Sequence, residues 1–336
     1  MNHERRKVVR ALGAAGATSI VGWPWKSAFA EPPPETTTIR IIGDPSICIA
    51  PQYIAEELLR LEGFTQVKYV SEAGSDATTI GLLRDGKADL TIDAVTTLVP
   101  ALEAGHPIVV LAGIHGGCYE LFANERVRTI RDLKQRSVAV TALGAHDHVY
   151  VASMVAYIGM DPNKDIRWIE GRTGDAAMRL FVEGKADAFL GFPPQPQELR
   201  AKKVGHVIVN TSKDRPWSQH FCCMLAGRRE FVRSHPVATK RALRAIVKGA
   251  DICIREPERV ARYMVQKGYE PSYAIALEVL KDVSYSAWRT FDPESTLRLH
   301  MLRMHEVGMI KTTPQQLIAK GTDWRFLNEL KRELKA

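Results

Sequence analysis

The sequence predicts an α/β protein built from two similar units. Three observations carry that expectation. Strand-like runs rich in β-branched residues alternate with stretches of helical apolar spacing from residue 38 to about residue 225. The phrase Gly-Lys-Ala-Asp occurs twice, at Gly86-Lys87-Ala88-Asp89 and at Gly184-Lys185-Ala186-Asp187, each time ending a helix and entering an apolar strand. The chain has 336 residues, too many for one ordinary core and comfortable for two lobes.

The elements follow in order. Residues 37–43 (TTIRIIG) read as a strand, followed by the loop DPSICIAP at 44–51. Residues 52–61 carry Ile54, Ala55, Leu58 and Leu59 at amphipathic-helix spacing. Residues 66–70 form a strand, and Gly74-Ser75-Asp76 can cap a helix running through Leu83 and stopped by Gly86. A strand at 89–92, a helix at 96–102 stopped by Gly105, and an apolar strand at 107–112 complete the first unit. Strands alternating with helices point to a mostly parallel sheet.

The pattern then restarts. Strands are expected at 118–123, 137–140, 165–169, 186–190 and 206–209. Between them come a helical turn at 129–133, a helix opening at 144–148 and running to Tyr157, one at 175–182 closed by Gly184, and one at 193–201. Asp76 lies ten residues before Gly86 and Asp175 nine before Gly184, so each Gly-Lys-Ala-Asp follows a comparable helix start. Residues 221–225 are apolar again, and beyond Arg228 the chain reads as helices at 237–254, 258–267, 273–280, 295–307 and 324–334. Asp292-Pro293-Glu294 joins a capping residue to proline at the first helical position.

The net charge of +8 is concentrated at the front. Residues 1–30 hold five bases and one acid, leaving 41 basic and 37 acidic residues over the other 306, so no nucleic-acid partner is expected. Those thirty residues read as an export signal. A basic start is followed by a mildly apolar stretch at 8–22 and by Ala28-Phe29-Ala30, a small-x-small cleavage form. Arg5-Arg6-Lys7-Val8-Val9-Arg10 resembles the twin-arginine pattern. Cleavage is expected after Ala30, and Glu31-Pro32-Pro33-Pro34-Glu35 reads as a stiff spacer covering residues 31–37. The cysteines Cys48, Cys118, Cys222, Cys223 and Cys253 are too sparse for a disulfide framework. His146-Asp147-His148 and His115…Cys118 have metal-like spacing, but neither is a closed four-ligand set, so no metal and no cofactor are expected. GxSxG, GxxxxGK[ST] and HExxH are absent from the sequence, and no catalytic residues are assigned.

Several stretches together resemble the nitrate/sulfonate/taurine and thiamine-precursor class of substrate-binding proteins, which serve ABC importers. They are Ala50-Pro51-Gln52-Tyr53-Ile54-Ala55-Glu56, Leu83-x-x-Gly86-Lys87-Ala88-Asp89, Ala104-Gly105 with the strand after it, Ile130-x-Asp132-Leu133-Lys134 before Val138-Ala139-Val140, and the second Gly-x-x-Asp unit. The resemblance spans about residues 38–225. It implies a type II periplasmic-binding-protein fold, two α/β lobes joined by two crossover strands, with a helical C-terminal tail. Lobe 1 would comprise 38–123 plus 218–336 and lobe 2 residues 124–217, with crossings near 119–124 and 218–225. Yeast-type enzymes of the superfamily carry a clustered-cysteine motif; here only Cys222-Cys223 stand together, so a non-enzyme is expected.

The same resemblance implies a monomeric periplasmic receptor whose cleft takes a small organic solute, sulfonate-, taurine- or nitrate-like or pyrimidine-like, for an inner-membrane ABC permease. An enzyme acting on a pyrimidine or aromatic precursor is the alternative. Ligand groups are expected at strand ends and helix starts: Ser46, Ile47, Cys48, Gly74, Ser75, Asp93, Ala94, His115 and Tyr119 on the first side, and Ala145, His146, Phe192 and Pro193 on the second. Ser75 could serve an anion at a helix start, or simply cap that helix. Crossovers running side by side would bring Cys118 and Tyr119 near His220, Cys222 and Cys223. Because vicinal cysteines alternate faces on a strand, only one of Cys222 and Cys223 would then face Cys118, as a disulfide partner or as packing.

Overall fold

The computed structural model describes residues 31–43, 46–71 and 78–335. The chain divides into residues 1–33 and 34–336, and the strands and helices below all lie in the second part. The expected export signal, with Gly74 and Ser75, lies outside the described residues.

Among the described residues, β1 (Thr38–Ile42), β2 (Gln66–Val70), β3 (Leu90–Ala94) and β4 (Ile108–Gly116) form one sheet. The chain then builds a second sheet from β5 (Glu120–Ala123), β6 (Arg136–Val140), β7 (Ile166–Glu170), β8 (Ala188–Gly191) and β9 (His206–Asn210). It returns with β10 (Phe221–Arg228), which enters the first sheet between β3 and β4. The strand orders are β2-β1-β3-β10-β4 and β7-β6-β8-β5-β9. In each sheet the fourth strand in that order, β10 or β5, runs antiparallel to its neighbours, while the first three strands are parallel.

The first sheet carries α1 (Ala50–Ile54), α2 (Glu56–Leu61), α3 (Thr79–Arg84) and α4 (Val95–Glu103). The second carries α5 (His146–Tyr157), α6 (Gly174–Val182) and α7 (Gln195–Lys202). The C-terminal part adds α8 (Pro236–Arg255), α9 (Pro257–Gln266), α10 (Tyr273–Asp282), α11 (Pro293–Glu306), α12 (Pro314–Gly321) and α13 (Arg325–Glu333). α8 buries Ala242, Leu243, Ile246 and Ala250 against α1 and α2, so the tail completes the first core. Contact with the second unit comes from α11 against α5 and α10 against α7.

Three expectations need correction. The helix at 52–61 is two helices, broken at Ala55, where ψ falls to −5°. The helix ending at Gly86 is capped by Thr78, whose hydroxyl accepts from Gly81 N at 3.1 Å, three residues beyond Ser75. Residues 120–123 belong to the second sheet, because β5 pairs with β8 and β9. The chain therefore crosses earlier than expected, at residues 117–119 and 211–220.

The repeated phrase does the same local work twice. Gly86 and Gly184 have φ of +68° and +72°, the left-handed turn that favours glycine at a helix end. Lys87 N donates to Leu82 O and Lys185 N to Leu180 O, both at 2.9 Å. The aspartates then reach across to the neighbouring strand. Asp89 Oδ2 accepts from Arg40 N in β1 at 2.9 Å, and Asp187 Oδ2 from Ser137 N in β6 at 3.0 Å.

Candidate functional site

Both crossovers pass through one point. Thr211 N donates to Tyr119 O and Tyr119 N to Thr211 Oγ1, each at 2.9 Å. A Cβ on Gly117 would lie 2.1 Å from Thr211 O, so the two strands approach closely enough that only glycine fits there. This pins the backbone between the two sheets and fixes the direction of the side chains around it.

On the second unit's side an aromatic wall forms. His146 opens α5 and Phe192 follows β8. Tyr119 Oη lies 3.0 Å from His146 Nδ1, the His146 ring meets Phe192 edge-on at 5.3 Å, and Tyr119 lies 5.0 Å from Tyr150. Burial pushes the Tyr119 phenol up and the His146 imidazole down. The phenol therefore stays protonated beside a neutral imidazole, and the two share one hydrogen bond at His146 Nδ1. His148 Nδ1 instead accepts from Gly144 N at 3.0 Å, and its ring packs on Trp168, so His146 and His148 do not act as a pair.

Beneath Tyr119 lies a set of thiols and one imidazole. One ligand atom each from Cys48, His115, Cys118 and Cys223 lie within 4.8 Å of one another. Cys223 in β10 pairs directly with His115 in β4, which puts their side chains on one face. Cys222 Sγ is 3.1 Å from Cys118 Sγ, longer than a disulfide bond, and 3.8 Å from Cys223 Sγ. A register shift between Phe221 and Cys223 breaks strand alternation there. Both vicinal cysteines consequently turn toward Cys118, which corrects the expectation that only one could. Burial opposes ionisation of Cys222, yet S–H donation from Cys118 and Cys223 outweighs it and brings its pKa down to about 6. That same donation to Cys222 holds the Cys118 thiol up. Burial opposes charge on His115, but the neighbouring Cys223 and Cys48 sulfurs raise its pKa above the ordinary value.

The remaining candidates fall around these two groups. Ser46 Oγ contacts Cys48 Sγ at 3.1 Å. Ile47 is buried in the first core, and its carbonyl accepts from Tyr285 Oη at 3.0 Å. Ala94 faces Cys223 across β3 and β10, while the Asp93 carboxylate accepts from Ala94 N at 2.6 Å. Ala145 is the N-cap residue of α5, and Pro193 is buried beside Phe192, followed by a cis peptide to Pro194. Sequence reasoning missed how Cys48 and Cys223 complete the His115…Cys118 pair. The available signal was that three cysteines and this pair all fall at strand ends or crossovers.

Two α/β sheets exchanged through paired crossovers, with facing residues at the crossing, define a periplasmic-binding-protein fold of the type II arrangement. The chain belongs to the NMT1/THI5-like family, whose sequence model matches residues 62–260. No curated protein sequence matches it. Among solved structures, the periplasmic nitrate-binding protein NrtA from Synechocystis PCC 6803 is similar at 17% identity, covering 90% of each chain with a TM-score of 0.71. The alkanesulfonate-binding protein SsuA from Xanthomonas axonopodis pv. citri bound to MOPS is similar at 14% identity over 88% of this chain and 99% of that one, with a TM-score of 0.67. The desulfurization enzyme DszB is similar at 13% identity over 88% and 99%, with a TM-score of 0.59. At these identities the likeness is one of fold.

Proposed function

We propose that the protein is an exported, monomeric receptor that takes a small organic solute between its two units and delivers it to an ABC importer permease in the inner membrane. The observation that carries this reading is the wall of Tyr119, His146 and Phe192 at the crossing of the two sheets, with the neutral His146 imidazole held at Nδ1 by the Tyr119 hydroxyl. Aromatic faces beside a neutral imidazole suit a flat, uncharged ring. Within the solutes expected from sequence, that favours a pyrimidine-like ligand over sulfonate, taurine or nitrate. Residence in the periplasm, after cleavage following Ala30, fits the basic, Ala-rich start of the chain.

A thermal-shift panel of pyrimidines, alkanesulfonates, taurine and nitrate tests this. A ligand at 100 times its Kd stabilises the folded form by about 2.7 kcal/mol. Pyrimidines should raise Tm, and His146→Ala should remove the rise while leaving the unliganded Tm near that of the wild type. A response to sulfonates alone would overturn the choice of ligand. Conversion of the stabilising compound during incubation would replace the receptor with an enzyme on the same fold.

A further inference from the structure

We propose that Cys48, His115, Cys118 and Cys223 form a resident site for a thiophilic divalent metal ion of the zinc class, lying under the crossing of the two sheets. The inference goes beyond the receptor reading and stands on separate residues. One sulfur comes from the turn after β1, an imidazole from the end of β4, one sulfur from the first crossover and one from β10. Four soft donors from four separate segments thus converge on one point.

The imidazole supplies the second, independent observation. His115 Nδ1 lies 2.7 Å from Gly116 O, and its N–H donates there. That keeps a proton on Nδ1, so the nitrogen that can give a lone pair to an ion, on losing its proton, is Nε2, which is fully buried and has no hydrogen-bond partner. An orphaned buried nitrogen is a destabilising arrangement for an apolar core and the usual arrangement for a metal ligand, whose other ring nitrogen donates to a backbone carbonyl.

The dimensions agree. Three sulfurs at about 2.3 Å and one nitrogen at about 2.0 Å from a central ion stand roughly 3.5–3.8 Å apart in a tetrahedron. The observed spread of 4.8 Å closes to that by a contraction of about 1 Å. A Cys3His set with no open position matches structural zinc rather than a catalytic centre. Cys48, Cys118 and Cys223 keep 5%, 7% and 6% of their surface exposed, while His115 and Cys222 keep none. Cys222 stands as an outer sulfur against Cys118. Once bound, it would tie both crossovers to the turn carrying Cys48.

The test is a Co2+ titration of the reduced, full-length folded protein, purified without a metal-affinity column. One Co2+ per chain should bind with thiolate-to-cobalt charge-transfer bands and the intense d–d bands of a tetrahedral site, and Zn2+ should displace it. Cys48→Ser and Cys223→Ser, each checked for folding by circular dichroism, should weaken binding by at least about 100-fold. Cys253→Ser, on α8 and outside the set, should leave it unchanged. If the folded wild type gives no tetrahedral thiolate spectrum, the site does not exist, whatever the variants do. Unweakened binding in folded Cys48→Ser and Cys223→Ser proteins would also overturn it. So would three free thiols as isolated, with no cobalt uptake after reduction, since that describes a Cys118–Cys222 disulfide pair.

Discussion

The turns at Gly86–Asp89 and Gly184–Asp187 make matching backbone hydrogen bonds and meet different neighbours. Asp89 is nearly enclosed and pairs with the Arg40 guanidinium, with Arg228 at 3.9 Å. Asp187 accepts from neutral groups, the Ser137 hydroxyl at 2.9 Å and the Asn124 amide at 2.8 Å, with Arg126 at its edge. The difference follows from what lies outside each turn. Beside the first turn β10 brings Arg228, whereas the second turn is closed by the short polar side chains of Ser137 and Asn124. A repeated backbone motif therefore specifies the joint, and the surroundings decide whether a charge pair or a hydrogen-bond cluster completes it.

The largest expected effect tests how the C-terminal helices join the two units. His300 of α11 packs edge-on against Tyr150 of α5 at 5.2 Å, with both ring nitrogens buried and unpartnered. Burial, with His220 adding to it, brings its pKa down to about 3. A base whose folded pKa lies below its unfolded value near 6.5 contributes stability that is present above pH 6.5 and lost as pH falls toward 3. Chemical denaturation across that range should show a loss on the order of 4 kcal/mol, flattened in His300→Leu. An unchanged slope in that variant would remove His300 as the acid-sensitive joint.

Next come the two aspartates. Asp89→Ala leaves Arg40 facing a buried vacancy and should lower unfolding stability by about 3 kcal/mol, whereas Asp187→Ala strands neutral donors and frees only the exposed Arg126, and should lose about 2 kcal/mol. Urea midpoints at constant m-value decide it, and the reverse order would break the contrast between charge pair and hydrogen-bond cluster. Asp187 has a pH dependence of its own. Burial opposes charge on Asp187, but donation from Ser137 and Asn124 outweighs it and lowers its pKa. Its contribution is thus present above the unfolded value and lost as pH falls through the folded one, a step absent from Asp187→Asn.

Smaller effects sharpen the likeness. Gly86→Ala and Gly184→Ala force an L side chain into a left-handed turn with no contact nearer than 3.9 Å, so each should cost about 1 kcal/mol, equally within error. Unequal losses would show that the two turns are not equivalent. Smallest of all, Lys87→Ala and Lys185→Ala should each change stability by less than about 0.5 kcal/mol, because Lys185 reaches only the exposed Glu183. Thermal melts suffice for both pairs.

Alternating strands and helices, the doubled turn and the helical tail were readable because each rests on local spacing of apolar residues, glycine and caps. The crossings lie earlier than the sequence suggests because a strand of four residues, β5, looks the same whichever sheet it joins; its partners β8 and β9 come at least 65 residues further on. Thr78 and Ser75 both have capping hydroxyls, and only the backbone shows where the helix begins. The thiol set was invisible for a related reason. Cys48, His115 and Cys223 are separated by long stretches of chain and meet only when β10 is laid beside β4. The bulge that turns Cys222 and Cys223 the same way has no signature in two adjacent cysteines.

The placement of β10 between β3 and β4 also sets the order in which the molecule can be made. The second sheet is complete in the continuous stretch from β5 to β9 and can assemble as soon as that stretch exists. The first sheet cannot: β4 has no strand to pair with until residues 221–228 arrive, although it was synthesised about a hundred residues earlier. During synthesis the later unit therefore finishes first, and β3 and β4 wait with open edges, the condition under which a chain is most exposed to wrong pairing.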